Sequence, residues 1–189
     1  MKKNFRMIHD ENLCIGCQAC SVSCRSENSV PDNLYRVQVQ IKTSGTFPAL
    51  KMDFRRQSCV MCDDPPCVDV CPTGASFQTV DGLTLINSDL CVSCKYCMVA
   101  CPYDARFVNP VTVAVDKCTF CFTNRVSQGI ETACVTVCPT DALVFGDMND
   151  KTSKVYKKAK EKFLLYPKAE KGTKPRVAFV PNKKGVNHE

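Results

Sequence analysis

The sequence predicts an α+β fold in which two small modules are interleaved and are followed by a mostly extended, basic C-terminal arm. Three observations support this prediction. The chain of 189 residues contains 16 cysteines, which fall into four sets of four. A unit of strand, cysteine loop, short helix and strand recurs along the chain. Finally, the balance of charge changes near residue 150, where a basic segment begins.

The four cysteine sets follow closely related spacings. The first and third sets read C-x2-C-x2-C-x3-C, and the middle gap widens to four residues in the second set and to twelve in the fourth. Three cysteines at this spacing wrap a loop around one side of an iron–sulfur cube, and the fourth ligates a neighbouring cluster. The sequence therefore predicts four 4Fe-4S clusters arranged in pairs. The sets are Cys14, Cys17, Cys20 and Cys24; Cys59, Cys62, Cys67 and Cys71; Cys91, Cys94, Cys97 and Cys101; and Cys118, Cys121, Cys134 and Cys138.

Disulfides and zinc sites are the competing interpretations of these cysteines. Cysteines separated by two residues, four times over, cannot all pair with distant partners without strain. Zinc sites prefer two separated cysteine pairs, and the fourth set alone would fit one. The third cysteine of the first and third sets does not fit, and His9 and His188 lie too near the two ends of the chain to suggest mixed Cys/His sites.

The repeat also predicts the secondary structure. Short apolar strands are expected ahead of the cysteine loops, at Met7–Ile8, Leu83–Ile86 and Val111–Val115. Proline follows the last cysteine of three sets, where it ends a helical turn and releases the chain into a strand such as Ala142–Phe145. Asp81-Gly82 between apolar runs predicts a hairpin turn. This array is typical of two-cluster ferredoxins.

The first set departs from the repeat. Cys24 is followed by Arg25 instead of proline, and the long segment Ser29–Ser58 separates it from the second set. Within this segment Tyr35–Ile41 alternates between apolar and polar residues, as a half-buried strand does. Two interpretations of that strand stay open, a docking element or an ordinary strand on the body of the protein.

Charge distinguishes the C-terminal arm from the rest of the chain. Residues 151–189 hold 12 of the 25 Lys and Arg and 3 of the 19 Asp and Glu, a net charge of +9, and the remaining −3 accounts for the overall +6. A regulatory protein would place such an arm on nucleic acid. The apolar patches Phe163–Tyr166 and Val177–Val180 instead favour an arm lying on protein, so we expect no nucleic-acid partner. We further expect that deleting the arm leaves the clusters in place.

Three stretches, Met7–Cys20, Pro65–Ala75 and Ala133–Ala142, resemble the four-cluster iron–sulfur subunit of molybdopterin oxidoreductases. Within that family the chain is most similar to the B subunit of polysulfide and thiosulfate reductases, and the tail Gly172–Gly185 shares the likeness. The resemblance implies an outer ferredoxin-like module of residues 1–50 and 111–150, an inserted ferredoxin-like module of residues 51–110, and a docking arm of residues 151–189.

The resemblance also implies how the cysteines are shared among the clusters. Three cysteines of one set would join the last cysteine of its partner set. The implied groups are Cys14, Cys17, Cys20 and Cys138; Cys118, Cys121, Cys134 and Cys24; Cys59, Cys62, Cys67 and Cys101; and Cys91, Cys94, Cys97 and Cys71.

The partners follow from the same resemblance. The subunit would pass single electrons between a large catalytic subunit with a molybdenum or tungsten bis-pterin and an integral membrane anchor that binds quinone. The outer module would face the catalytic subunit and the inserted module the anchor, on the periplasmic side of the cytoplasmic membrane, with the membrane contacted only through the anchor. The substrate, whether polysulfide, thiosulfate, tetrathionate, arsenate or a sulfoxide, would be set by the catalytic subunit. A freestanding polyferredoxin carrier is the alternative.

Charged residues beside the cysteines suggest which cluster is reduced most easily. Arg25 and Lys117 adjoin Cys24 and Cys118, which the resemblance assigns to one cluster, so both cations are expected to raise its potential. Asp63 and Asp64 lie in the loop of the second set, and they would lower the potential there. His9, Asp10 and Tyr103 have no catalytic constellation around them, so we expect electron transfer without chemistry by the protein itself.

Overall fold

The computed structural model describes residues 2–182, and this part of the chain contains nine strands and five α-helices. The α+β class predicted from the sequence is confirmed. The strands are β1 (Phe5–Asp10), β2 (Val37–Ser44), β3 (Lys51–Ser58), β4 (Ser76–Gln78), β5 (Thr84–Ile86), β6 (Phe107–Val108), β7 (Val115–Asp116), β8 (Leu143–Asp147) and β9 (Val177–Val180). The helices are α1 (Ala19–Asn28), α2 (Pro66–Asp69), α3 (Tyr96–Val99), α4 (Ala133–Thr136) and α5 (Lys154–Glu161).

A three-stranded sheet in the order β8-β1-β9 brings distant parts of the chain together. Strand β1 pairs antiparallel with β8, with Met7 opposite Phe145, and parallel with β9, with Met7 opposite Val177. One face of the sheet meets the largest buried cluster, where Phe145 packs on Phe5 and Phe120 with ring centroids 5.4 and 5.2 Å apart. This sheet therefore fixes the first and fourth cysteine sets on one core.

Three two-stranded hairpins carry the remaining strands. The turn between β4 and β5 lies at the predicted Asp81-Gly82, and Gly82 has φ +75°. The predicted strand Val111–Val115 is shorter than expected, because only Val115 belongs to β7. The strand predicted at Tyr35–Ile41 is confirmed as β2, and its partner β3 was not foreseen.

The helices after the cysteine loops differ in length as the prolines predict. Helices α2, α3 and α4 have four residues each and end just before a Cys-Pro pair. Helix α1 runs for ten residues to Asn28, because Arg25 follows Cys24 where the other sets have proline. The third residue after the last cysteine adopts positive φ in the Cys-Pro sets, at Gly74, Asp104 and Asp141. The three Cys-Pro repeats in the sequence therefore share the same backbone conformation.

The C-terminal segment is not the mostly extended arm that the sequence suggested. Residues 154–161 form α5, and β9 is buried along its whole length beside β1. Arg176 N–H donates to the carbonyl of Val60 at 2.8 Å, and Lys158 pairs with Asp10 at 3.2 Å. The segment is therefore part of the folded body as far as residue 182, and residues 183–189 lie outside the described part.

Within residues 2–182, no helix is both long enough and apolar enough to cross a membrane.

Candidate metal centres

The four cysteine loops share one backbone feature. The second residue after the first cysteine has positive φ in every set, at Gly16 (+69°), Met61 (+50°), Ser93 (+55°) and Phe120 (+54°). At Gly16 a side chain would also lie 2.5 Å from the Phe54 ring. A left-handed residue at this position turns the chain back on itself, which lets successive cysteines face one cavity.

Three small cavities are each lined by four cysteines. In each one, three cysteines come from one set and the fourth from another. We number the sites in the order in which the implied groups were given above, and the second group is described in the next paragraph. The first cavity is lined by Cys14, Cys17, Cys20 and Cys138; the third by Cys59, Cys62, Cys67 and Cys101; and the fourth by Cys71, Cys91, Cys94 and Cys97. The structure thus brings together the groups that the family resemblance implied.

The second group of four, Cys24, Cys118, Cys121 and Cys134, is buried in the core. Helix α1, which carries Cys24, packs on α4, which carries Cys134. Burial raises the pKa of the Cys24 thiol, and the charges of Cys118, Cys134 and Cys121 raise it further. Asn28 lies across this group, because its Nδ2 reaches Cys24 Sγ at 3.7 Å and Cys121 Sγ at 3.9 Å. We refer to this group as the second site, between the first and third cavities.

The arrangement of the thiols fits a cube and argues against the alternatives. All sixteen cysteines are free, so none is used in a disulfide. Among residues 2–182, no group of three or more His, Cys, Asp or Glu side chains is gathered closely enough to hold a single metal ion. Thiols spread around a cavity suit a cluster of several iron atoms, whereas zinc draws its four ligands around one point.

Burial makes these thiols poor acids on their own. It raises the pKa of Cys20 to about 11 and that of Cys62 to about 12. Metal ligands are thiolates, so the negative charge of a filled site has to be balanced by the metal and by nearby cations. Three buried cations lie where such balance is needed.

The first of them is Arg56, on β3. Its Nη2 reaches Cys118 Sγ at 3.9 Å in the second site, its Nη1 bonds Ser58 Oγ, and the side chain also lines the first cavity. Burial alone lowers the pKa of Arg56, yet Cys134, Cys118 and Cys20 raise it overall. Arg56 therefore stands between the first cavity and the second site.

The second cation is Arg106, just before β6, which lines both the third and the fourth cavities. Its Nη2 donates to Cys67 Sγ at 2.7 Å and to Ser76 Oγ at 3.0 Å. Burial alone lowers the pKa of Arg106, and Cys67, Cys59 and Cys97 raise it overall. Those three thiols belong to two different cavities, so Arg106 is shared between them.

The third cation is Lys117, which is fully buried. Its Nζ donates to the carbonyls of Cys118, at 2.9 Å, and Thr84, and it lies 3.9 Å from Met61 Sδ. Burial raises the pKa of Cys67, and the charges of Arg106 and then Lys117 lower it. Lys117 thus lies between Cys118 of the second site and Thr84, which lines the third cavity, so its charge is close to a second site besides the one for which it was predicted.

Arg25, the other cation predicted to raise this potential, is paired at the surface. Its Nη2 pairs with the exposed carboxylate of Asp32 at 2.6 Å, and its guanidinium lies over the Tyr35 ring at 5.5 Å. The positive charge is therefore directed away from the thiols and is neutralised at the surface. Adjacency to Cys24 in sequence did not predict where this long side chain points.

The acidic pair in the second loop is neutralised as well. Asp63 accepts from Arg176 Nε at 2.6 Å and from Arg6 Nη2 at 2.8 Å, and Asp64 pairs with Lys174 at 2.8 Å. These contacts join the loop to β1 and to the C-terminal segment. They remove the reason for expecting a lowered potential at the third cavity.

The residues considered for acid–base chemistry have structural contacts. His9 is buried with its ring edge-on to Phe179, and burial, followed by the charge of Arg56, lowers the pKa of His9 to about 3. Asp10 pairs with Lys158. Tyr103 Oη bonds Thr173 Oγ1 at 2.5 Å. These side chains hold strands and loops together around the cysteine sites.

Sequence reasoning missed Arg56 and Arg106 because neither adjoins a cysteine. A signal existed for Arg56, since it occupies an inward position of β3, where a charged residue is unusual. For Arg106 the only local signal is its place directly after the Cys-Pro-Tyr-Asp-Ala repeat.

Comparison with known proteins agrees with this geometry. Two family models, each described as a 4Fe-4S dicluster domain, match residues 13–75 and 50–148. The protein is 56% identical to the B subunit of polysulfide reductase from Wolinella succinogenes over 187 residues, which is 98% of each of the two proteins. It is 46% identical to Protein NrfC of Escherichia coli, over 96% of this protein and 82% of that one.

A third relative is the Thiosulfate reductase electron transfer subunit PhsB of Salmonella typhi, 45% identical over 79% of each protein. Together with sixteen free cysteines gathered in fours, these matches assign four 4Fe-4S clusters to the protein. The protein therefore belongs to the 4Fe-4S dicluster family, as an iron–sulfur electron-transfer subunit of the kind found in polysulfide and thiosulfate reductases.

Proposed function

We propose that this subunit relays single electrons between a membrane quinone-reactive subunit and a molybdopterin catalytic subunit, in a reductase of the polysulfide or thiosulfate type. The observation that carries the proposal is the 56% identity to the polysulfide reductase subunit of Wolinella succinogenes along 98% of both proteins. The name of the third relative, an electron transfer subunit of a thiosulfate reductase, supports the same role.

The ligands follow from the gathered thiols. When bound, each cluster accepts and releases one electron. The protein contributes the thiolates, the spacing of the sites and the exclusion of water from them. We assign the ligands as Cys14, Cys17, Cys20 and Cys138; Cys24, Cys118, Cys121 and Cys134; Cys59, Cys62, Cys67 and Cys101; and Cys71, Cys91, Cys94 and Cys97.

A relay has to be accessible at both ends, and the exposure of the thiols supports this. Cys17 and Cys94 are the two exposed cysteines, and they belong to the first and fourth cavities. Each cavity is also lined by an exposed apolar residue that follows the first cysteine of its set, Ile15 (57% exposed) and Val92 (65%). Exposed apolar side chains beside a redox site favour a bound subunit over a freely diffusing polyferredoxin.

The orientation is part of the proposal. The module with the first cavity would face the catalytic subunit, and the inserted module with the fourth cavity would face the anchor. The predicted division into residues 1–50 with 111–150, 51–110 and 151–189 stays a prediction. So do the periplasmic location, the contact with the membrane through the anchor alone and the absence of a nucleic-acid partner.

The test is purification of the native complex in mild detergent from cells that express a tagged form of this protein. We expect a large molybdopterin protein and an integral membrane protein to accompany it, and a quinol to reduce its clusters. Recovery of the protein alone, with four clusters and no partner, would establish a freestanding carrier instead.

A matched pair of variants tests the orientation. Ile15→Gln and Val92→Gln occupy equivalent positions at the two ends and introduce no charge beside the thiols. We expect Ile15→Gln to lower recovery of the catalytic subunit and Val92→Gln to lower recovery of the anchor, with iron content unchanged in both. The reverse pattern would invert the proposed orientation.

A further inference from the structure

Three buried cations separate the four cysteine sites. Arg56 lies between the first cavity and the second site, Lys117 between the second site and the third cavity, and Arg106 between the third and fourth cavities. One of these side chains therefore adjoins both members of each successive pair of sites, first with second, second with third, and third with fourth. Arg125, another cation near a cysteine loop, is paired with Glu27, and Lys95, which lines the fourth cavity, is exposed to solvent.

The three cations have hydrogen-bond partners but no carboxylate partner among residues 2–182. Within residues 2–182, none of them forms a salt bridge with a carboxylate. In the described part of the chain, Arg56 Nε and Arg106 Nη1 are buried and have no hydrogen-bond partner. Leaving a buried charge unpaired is strongly destabilising, so an anionic group is expected at each of them. The thiolates and sulfides of the flanking clusters are anions of the required kind.

We propose that Arg56, Lys117 and Arg106 form a row of fixed positive charges, one between each neighbouring pair of clusters, that raises the reduction potential of both clusters it separates. The inference rests on the proposed function, because it concerns the clusters of that relay. It assigns the three residues a positioning and electrostatic role and leaves the ligands unchanged.

The physical reason is that each transfer moves one negative charge past one of these cations. An electron leaves one cluster as its neighbour gains it, and a cation shared by both attracts the electron before and after the transfer. The cation therefore raises both reduction potentials by similar amounts and hardly changes the difference between them. Both clusters remain easy to reduce. A cation beside one cluster only would instead trap the electron there.

The experiment is an anaerobic redox titration of the purified holoprotein, followed by EPR, with iron and sulfide analysis of every sample. Replacing Arg106 by Gln is expected to make reduction of two clusters about tenfold less favourable, which corresponds to about 59 mV for one electron. Arg56→Gln should shift the other two clusters. Lys117→Gln should shift one cluster from each pair. The control, Arg125→Gln, removes a cation that is already paired with Glu27 and should shift none.

The pattern of shifts in midpoint potential across the three variants tests the proposal. A shift in one cluster only, in all four equally or in none would overturn the proposal. If a Gln variant does not retain four clusters, the corresponding Lys variant, Arg56→Lys or Arg106→Lys, is titrated, and it should retain them with midpoints near those of the unmodified protein. If the Lys variant lost its clusters, or if its midpoint potentials shifted by as much as those expected for the Gln variant, the positive charge would not be the cause of the shifts. Fewer than four clusters in the unmodified protein would instead overturn the proposed function.

Discussion

Strand β9 makes the C-terminal segment a structural part of the cluster-binding body, and Phe179 provides the sharpest test. Its side chain is 4% exposed, its ring meets His9 edge-on at 5.8 Å, and the Arg55 guanidinium lies 4.2 Å from the ring centroid. Replacing a buried Phe by Ala costs about 3–5 kcal/mol in transfer free energy and residual cavity. We therefore expect Phe179→Ala to destabilise the folded holoprotein by about that amount.

The assay is the rate at which visible cluster absorbance disappears in a fixed concentration of guanidinium under anaerobic conditions, because cluster loss makes unfolding irreversible. If about half of the lost free energy appears in the unfolding barrier, Phe179→Ala should lose its clusters roughly ten- to sixtyfold faster. Phe163→Ala is the matched control, since Phe163 lies in the same segment but is 76% exposed, and its rate should stay within about twofold.

Equal rates for the two variants would refute the reasoning, because β9 would then contribute nothing to holding the clusters. The same reasoning reverses the expectation from sequence that deleting residues 151–189 leaves the clusters intact. Such a deletion removes β9, one of the two strands that pair with β1, so iron content should fall.

Three further predictions concern the ligands and the charges around them, and one concerns the metal. Cys94→Ser should remove about one quarter of the iron and leave the other clusters EPR-active, because Cys94 is exposed and is the proposed ligand of one cluster only; loss of all iron would contradict independent sites. Asp63→Asn should lower the free energy of unfolding by about 1–3 kcal/mol, because Arg6 and Arg176 both lose their carboxylate partner. The measurement is the rate of cluster loss in denaturant, and an unchanged rate would show that these two salt bridges do not stabilise the protein. Arg25→Gln should leave every midpoint potential unchanged, and a selective fall at one cluster would restore the sequence-based hypothesis. Chelation of the iron should unfold the protein, and native-like NMR dispersion in the iron-free form would contradict that expectation.

The cysteine spacing predicted which cysteines of a set line one cavity together, because the geometry of a short loop is local. Three thiols three residues apart must share one cavity once the loop turns back, as it does at Gly16 and Met61. The pairing of β1 with β9 could not be predicted in the same way. It joins Met7 to Val177 by a parallel ladder, and nothing near either residue encodes that partner. Pro175 and Pro181 on either side of the strand suggested an extended arm, although they only mark its ends.

The buried cations link the stability of this fold to its redox function. Arg56, Lys117 and Arg106 lie in the interior and have no carboxylate partner among residues 2–182, and uncompensated charges in such positions cost several kcal/mol each. A small protein with a thin apolar core cannot offset that cost by packing alone. The bound anionic clusters would compensate these positive charges and so reduce the free-energy cost of burying the three side chains. Cluster binding and folding should therefore occur together, and a change that weakens one cation should affect both the potential and the stability of the two sites it separates.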